Sequence, residues 1–129
     1  MNQPTIYTAG YTGKLVQQLV ERACSMDALV LDVRLAPRSR SPAWNKGPLT
    51  TALDFRYRHV PALGNQNYKN GGPVAVQDMT AGIAEVEAAL RNYPAVILLC
   101  VCKETANCHR GVIAEALRAE GHRVEDLAW

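Results

Sequence analysis

The sequence predicts an α/β three-layer sandwich, a mostly parallel five-stranded sheet with helices on both faces, and two observations carry that prediction. Short apolar or β-branched runs alternate with segments of helical periodicity along the chain. Two of those runs, 28–33 and 95–100, are nearly continuous in apolar residues, as strands buried on both faces of a parallel sheet must be. At 129 residues the chain is expected to form one domain, 1–129, with no internal repeat.

The elements follow in order. Thr5-Ile6-Tyr7-Thr8, ended by Ala9-Gly10, reads as the first strand. Leu15, Val16, Leu19, Val20 and Ala23 recur with the helical period, and Thr12 is placed to cap that helix. The second strand, from Ala28, is closed by Asp32 and Arg34. Prolines at 37, 42 and 48 make 34–48 a long loop, a length that is usually functional, and Pro48 then opens a short helix with Leu49 and Leu53. Tyr57 to Val60 is a brief third strand cut off by Pro61, and a second long loop spans 62–76. Thr80 is placed to cap a helix carrying Ile83, Val86 and Leu90. After the strand 95–100, a helix from near Asn107 buries Val112, Ile113, Ala116 and Leu117 and stops at Gly121; Val124 to Leu127 reads as an edge strand. The strand order expected is 3-2-1-4-5. Ligands in such sheets bind outside the carboxyl ends of the strands, which are the ends that the loops after Thr8, Val33 and Cys100 leave from.

Composition limits the function classes. With 48% apolar and 20% charged residues the chain is an ordinary globular one, and no run is long enough to cross a bilayer, so no membrane partner is expected. Met1 leads into Asn2, Gln3 and Pro4 without a charged leader, so a cytoplasmic address with reduced thiols is expected. The net charge of +2 is uneven: Arg34, Arg38, Arg40, Lys46, Arg56, Arg58 and Lys69 are seven bases facing one acid, Asp54, within one stretch. Such a stretch suits an anionic ligand, with a nucleotide or nucleic acid the leading classes, or forms a solvated surface loop. Trp44, Tyr57 and Tyr68 lie among these bases, either as stacking platforms or as anchors for the loops.

The candidate chemistry collects in four places. Asp32 closes an apolar strand beside Arg34, Arg38 and Arg40, a setting for a general base, a nucleophile or the holder of an arginine. Arg38-Ser39-Arg40, on a proline-braced loop, offers two planar forks for phosphate or carboxylate. His59 precedes a proline at the end of the third strand, within reach of the crevice. Residues 99–110, Leu-Cys-Val-Cys-Lys-Glu-Thr-Ala-Asn-Cys-His-Arg, crowd three of the four cysteines with His109 and Arg110. Three readings of that cluster stand side by side. Cys108 at a helix start is a catalytic or redox-active thiol; Cys100, Cys102, Cys108 and His109 form a metal site; or Cys100 packs and Cys108 caps. The spacing C-x-C-x5-C-H lacks the paired C-x2-C knuckles of structural zinc, so no metal is assigned. Arg110, a cation in a first helical turn, points to an anion nearby. No cofactor fingerprint such as G-x-x-x-x-G-K-[ST] or G-x-G-x-x-G is present, and none is expected to bind.

Four blocks in order, Ile6-Tyr7-Thr8-Ala9-Gly10-Tyr11-Thr12-Gly13, Asp32-Val33-Arg34-Leu35-Ala36-Pro37-Arg38-Ser39-Arg40, His59-Val60-Pro61-Ala62-Leu63-Gly64-Asn65, and Leu98-Leu99-Cys100 with Cys108-His109-Arg110, resemble the bacterial domain of unknown function 488 family. Many longer relatives have a glutamate two residues after the position of Cys100, where this chain has Cys102. The resemblance implies an α/β fold and a pocket built from these blocks, and supplies no reaction.

The expectation is therefore an enzyme that binds a phosphate-bearing small molecule or a nucleic-acid end and hydrolyses a glycosidic or phosphoester bond. Gly10, Tyr11, Arg34, Arg38, Arg40, Cys100 and Arg110 would hold the ligand, and Asp32, His59, Cys108 and His109 would supply the chemistry. A catalytic Asp32 at the rim predicts that Asp32→Ala leaves the melting temperature nearly unchanged. The alternatives are a non-catalytic nucleic-acid-binding module and a metal or thiol redox site at the cysteine cluster.

Overall fold

The computed structural model describes residues 4–67, 73–101 and 109–129. Five strands, β1 (Thr5–Gly10), β2 (Ala28–Asp32), β3 (Tyr57–His59), β4 (Ala95–Cys100) and β5 (Arg123–Asp126), form one sheet in which every pairing is parallel. Among the described residues four α-helices cover it: α1 (Val16–Met26), α2 (Lys46–Leu53), α3 (Met79–Leu90) and α4 (His109–Ala119). The predicted α/β sandwich is thus the observed architecture. No helix among the described residues is long and apolar enough to cross a membrane.

The strand order is β3-β2-β4-β1-β5, which corrects the expected order by exchanging β1 and β4. The physical reason is apolarity. All six residues of β4 are buried, whereas β1 leaves Thr5, Tyr7 and Gly10 partly accessible, so the centre of the sheet goes to the strand that gains more from leaving water. β1 pairs with β4 from Thr5–Ala95 to Gly10–Cys100, and β2 pairs with β4 from Ala28–Ala95 to Asp32–Leu99.

Period-2 alternation divides the sheet's side chains between two cores. Ile6, Leu29, Leu31, Val96, Leu98 and Cys100 pack with Val86 and Ala89 of α3 and Ile113, Ala114 and Leu117 of α4. Ala28, Val30, Ile97 and Leu99 pack with Leu19 and Ala23 of α1 and Leu49 and Leu53 of α2. The chain therefore moves outward from β1 to β3 along one face and returns through β4 to β5 along the other. β4 is flanked on both sides by strands whose connections leave to the opposite face, so the crevice at the carboxyl ends opens around Cys100.

Several boundaries differ locally. α1 starts four residues after Thr12: the Leu15 backbone N–H donates to Gln18 Oε1 (2.8 Å), and the Thr12 hydroxyl instead donates to the Val101 carbonyl (2.5 Å). Asp78, not Thr80, caps α3 by accepting from the Ala81 backbone N–H at 3.1 Å. The 34–48 loop holds a 3-10 turn at Pro42–Trp44 and ends where α2 begins at Lys46, ahead of Pro48.

Gly64 is the tightest approach near the crevice. A Cβ there would lie 2.5 Å from Leu35 Cα and 2.7 Å from Leu35 N, backbone atoms that cannot swing aside. Gly64→Ala is expected to cost about 1–3 kcal/mol through this overpacking. Urea denaturation measures it, and an unchanged midpoint would show that the Leu35 segment yields.

Candidate functional site

The loops leaving β1 and β2, the end of β4 with Val101, and the start of α4 border a cavity of about 650 Å³, within the range of small-ligand sites. Tyr11, Thr12, Gly13 and Lys14 come from the turn after β1. Arg34, Leu35, Ala36, Arg38, Ser39, Arg40, Ser41 and Trp44 come from the loop after β2. Cys100, Val101 and His109 form the part nearest the sheet, and Asn65 and Val74 come from the second long loop.

The loop after β2 is braced by its own backbone. Arg38 N–H donates to the Ala36 carbonyl (2.8 Å), Lys46 N–H to the Pro37 carbonyl (3.2 Å) and Ser39 N–H to Asn45 Oδ1 (2.6 Å). Trp44 is buried and stacks on Tyr11, with ring centroids 4.5 Å apart and planes within 14°. Trp129 meets it edge-on. Of the two roles open to Trp44, anchoring is the one this packing supports. Arg38 and Arg40 are held out at the surface of this framed loop, and among the described residues no carboxylate pairs with either.

Asp32 does not border the cavity. It is fully buried, and its two oxygens accept from Arg34 Nε (2.8 Å) and Nη2 (2.5 Å), from the Tyr57 hydroxyl (2.6 Å) and from the Arg34 backbone N–H (3.2 Å). Of the three roles open to it, holder of an arginine is the one this geometry fits. Arg34 in turn donates from Nη1 to the Tyr11 hydroxyl (3.3 Å), with its guanidinium 5.3 Å from the Tyr11 ring centroid. Burial disfavours the Arg34 cation, but the bonds and charge of Asp32 outweigh it, and the proton is held more tightly than on a free arginine.

Tyr57 is likewise pushed above its ordinary range, first by burial and then by its bond to Asp32, so it remains a donor. Tyr57→Phe removes one donor from a buried carboxylate and is expected to cost about 1–3 kcal/mol. A phenol held protonated in the folded state stabilises fully below the unfolded value of about 10, and loses that contribution as pH rises from there. Chemical denaturation across that range should show a steeper alkaline loss for the wild type than for Tyr57→Phe. Parallel curves would exclude the Tyr57 bond as a source of stability.

His59 and His109 each meet a backbone carbonyl. His59 Nε2 donates to the Arg34 carbonyl (2.7 Å), which braces the same loop without bordering the cavity. His109 Nε2 donates to the Val33 carbonyl (2.7 Å), leaving Nδ1 facing Cys100 Sγ at 3.6 Å. Both His109 and Cys100 are buried and border the cavity.

Arg110 departs from its expected role. It is buried with Nη1 on Thr8 Oγ1 (3.2 Å) and 3.6 Å from Asp126 Oδ1, while the Thr8 hydroxyl also donates to Asp126. Among the described residues the anion beside Arg110 is the Asp126 carboxylate, and Arg110 does not border the cavity. Gly10 ends β1 opposite Cys100, and the following Tyr11 carries the contact with the cavity. Cys102, Cys108, Tyr68 and Lys69 lie outside the described residues, and with them the readings that rest on Cys108 and on the four-residue metal set. Among the described residues no group of three metal-binding side chains comes together.

The basic stretch is split. Arg34, Arg38 and Arg40 border the cavity, whereas Arg56 pairs with Asp27 (2.9 Å) and reaches the Ala28 carbonyl at the opposite end of the sheet. Lys14 is the cation that charge counting along the chain overlooked. Its Nζ donates to the Trp129 carbonyl (2.5 Å), and its position after a glycine at the end of a strand was the available signal. Tyr57 as a partner of Asp32 had no local signal, because the pairing of β2 with β3 creates it.

The family model described as "Domain of unknown function DUF488" matches residues 16–72, a little under half of the chain, and includes two of the four blocks that carry the resemblance. No curated protein and no solved structure matches the chain.

Proposed function

From a chain that carries the DUF488 match over residues 16–72 and this cavity, we propose an enzyme that binds a phosphate-bearing small molecule of nucleotide size and hydrolyses its phosphoester bond. One observation carries the reading. Lys14, Arg34, Arg38 and Arg40 border a single cavity, and no aspartate or glutamate does so among the described residues. Arg34 is already balanced by Asp32, so the charge open to a ligand comes from Lys14, Arg38 and Arg40. Guanidinium forks match phosphate oxygens and stabilise the charge that builds on them as the ester breaks. Leu35, Ala36, Val74 and Val101 border the same space and suit an uncharged portion such as a base or sugar. Proton transfer falls to His109, since Asp32 and His59 do not border the cavity.

Calorimetric titration tests the binding. Adenosine monophosphate should bind, inorganic phosphate should compete with it, and added salt should weaken both through screening of Arg38 and Arg40. Adenosine binding as tightly as its monophosphate, or no binding by inorganic phosphate and the four common nucleoside monophosphates, would overturn the reading.

A further inference from the structure

We infer that Cys100 is a nucleophile, with His109 as its proton acceptor, that takes the phosphoryl group of the bound ligand before water removes it. This rests on the phosphate-ligand reading above and adds a covalent route to it. Three parts that thiol catalysis requires are in place: a nucleophile, a base and a group that orients the base. Cys100 closes the central strand, and its Sγ lies 3.6 Å from His109 Nδ1. The Val33 carbonyl accepts from His109 Nε2 at 2.7 Å, and a carbonyl can only accept, so Nε2 carries the proton. In the neutral ring Nδ1 is then the bare nitrogen, aimed at the thiol. Both side chains border the cavity that Arg38 and Arg40 guard.

The chemistry balances without a further reactant. Cys100 Sγ passes its proton to His109 Nδ1 and attacks phosphorus, forming an S–P bond as the ester P–O bond breaks, and the leaving oxygen takes the proton from His109. Water then adds to phosphorus and breaks the S–P bond. His109 relays a proton of that water back to Sγ, giving inorganic phosphate and the starting thiol.

The test is alkylation of the whole protein by iodoacetamide across a pH series, with the modified cysteine identified by peptide mass. In the wild type Cys100 should react at neutral pH, and His109→Gln should slow that reaction at least tenfold and move its pH midpoint upward. Glutamine keeps a donor for the Val33 carbonyl while removing the basic nitrogen that faces the thiol. Inorganic phosphate should slow the wild-type reaction at concentrations that titrate the cavity by calorimetry. Circular dichroism and thermal melting of His109→Gln and of Cys100→Ser confirm that the comparisons are made on folded protein. A Cys100 that does not react in the folded wild type, or that reacts identically in His109→Gln, overturns the nucleophile. Calorimetric phosphate binding without protection of Cys100 also overturns it while leaving the phosphate cavity standing. Failure of phosphate both to bind and to protect removes the phosphate reading itself, and the covalent route with it.

Discussion

Asp32→Ala is expected to destabilise the protein by about 3–5 kcal/mol, because it leaves a charged guanidinium buried with its main partner removed. Arg34 is 6% exposed and Asp32 is fully buried, so water cannot replace the lost carboxylate without the loop opening. The Tyr57 hydroxyl loses its acceptor in the same step. A loss of this size is a large share of the total stability of an ordinary domain and should lower the melting temperature by more than about 10 °C. This reverses the expectation drawn for a catalytic aspartate at the rim, for which melting would barely change. The double variant Asp32→Ala with Arg34→Met should recover part of the loss, since removing both charges of a buried pair costs far less than removing one. Thermal denaturation followed by circular dichroism reads both. A single variant melting within about 2 °C of the wild type would show that the pair is not what fixes the loop.

The second large effect concerns the ligand and leaves the fold alone. Arg38→Ala with Arg40→Ala is expected to weaken binding of inorganic phosphate and adenosine monophosphate by 100-fold or more, taking about 1.5–3 kcal/mol for each charge-assisted bond. Both side chains are exposed, and neither pairs with a carboxylate among the described residues, so stability should stay within about 0.5 kcal/mol of the wild type. Calorimetry and urea denaturation on the same preparation separate the two quantities. Affinity retained in the double variant would place the anion elsewhere.

Much of this arrangement was legible along the chain, and the reasons differ by residue. β2 and β4 announced themselves through uninterrupted apolar runs, which fixed a parallel sheet and put the crevice just beyond Asp32 and Cys100, where the two strands end. The neighbour relations were less legible. Both β1 and β4 are apolar enough to sit inside, and only the accessible Thr5 and Tyr7 on β1 argue for giving β4 the centre. Arg110 looked like a ligand group because its counter-charge, Asp126, lies on a strand that only the folded sheet brings beside β1. Asp32 looked reactive for a similar reason. Its arginine was visible two residues away, but the tyrosine that completes its set of donors arrives through the third strand. The pairing of His109 with Cys100 was within reach of the sequence, since a strand end and a helix start separated by a short connection must lie close.

The central place of β4 also shapes how the chain must assemble. Among the described strands β1 pairs with β4 and β5, both of which follow it by 85 residues or more in sequence, so it has no neighbouring strand until residues 95–100 have been made. Until then the polypeptide carries an unpaired apolar edge, the kind of surface that invites pairing with another chain. Closure of the sheet joins positions far apart in sequence, the kind of pairing whose loop-closure entropy must be met before its contacts form.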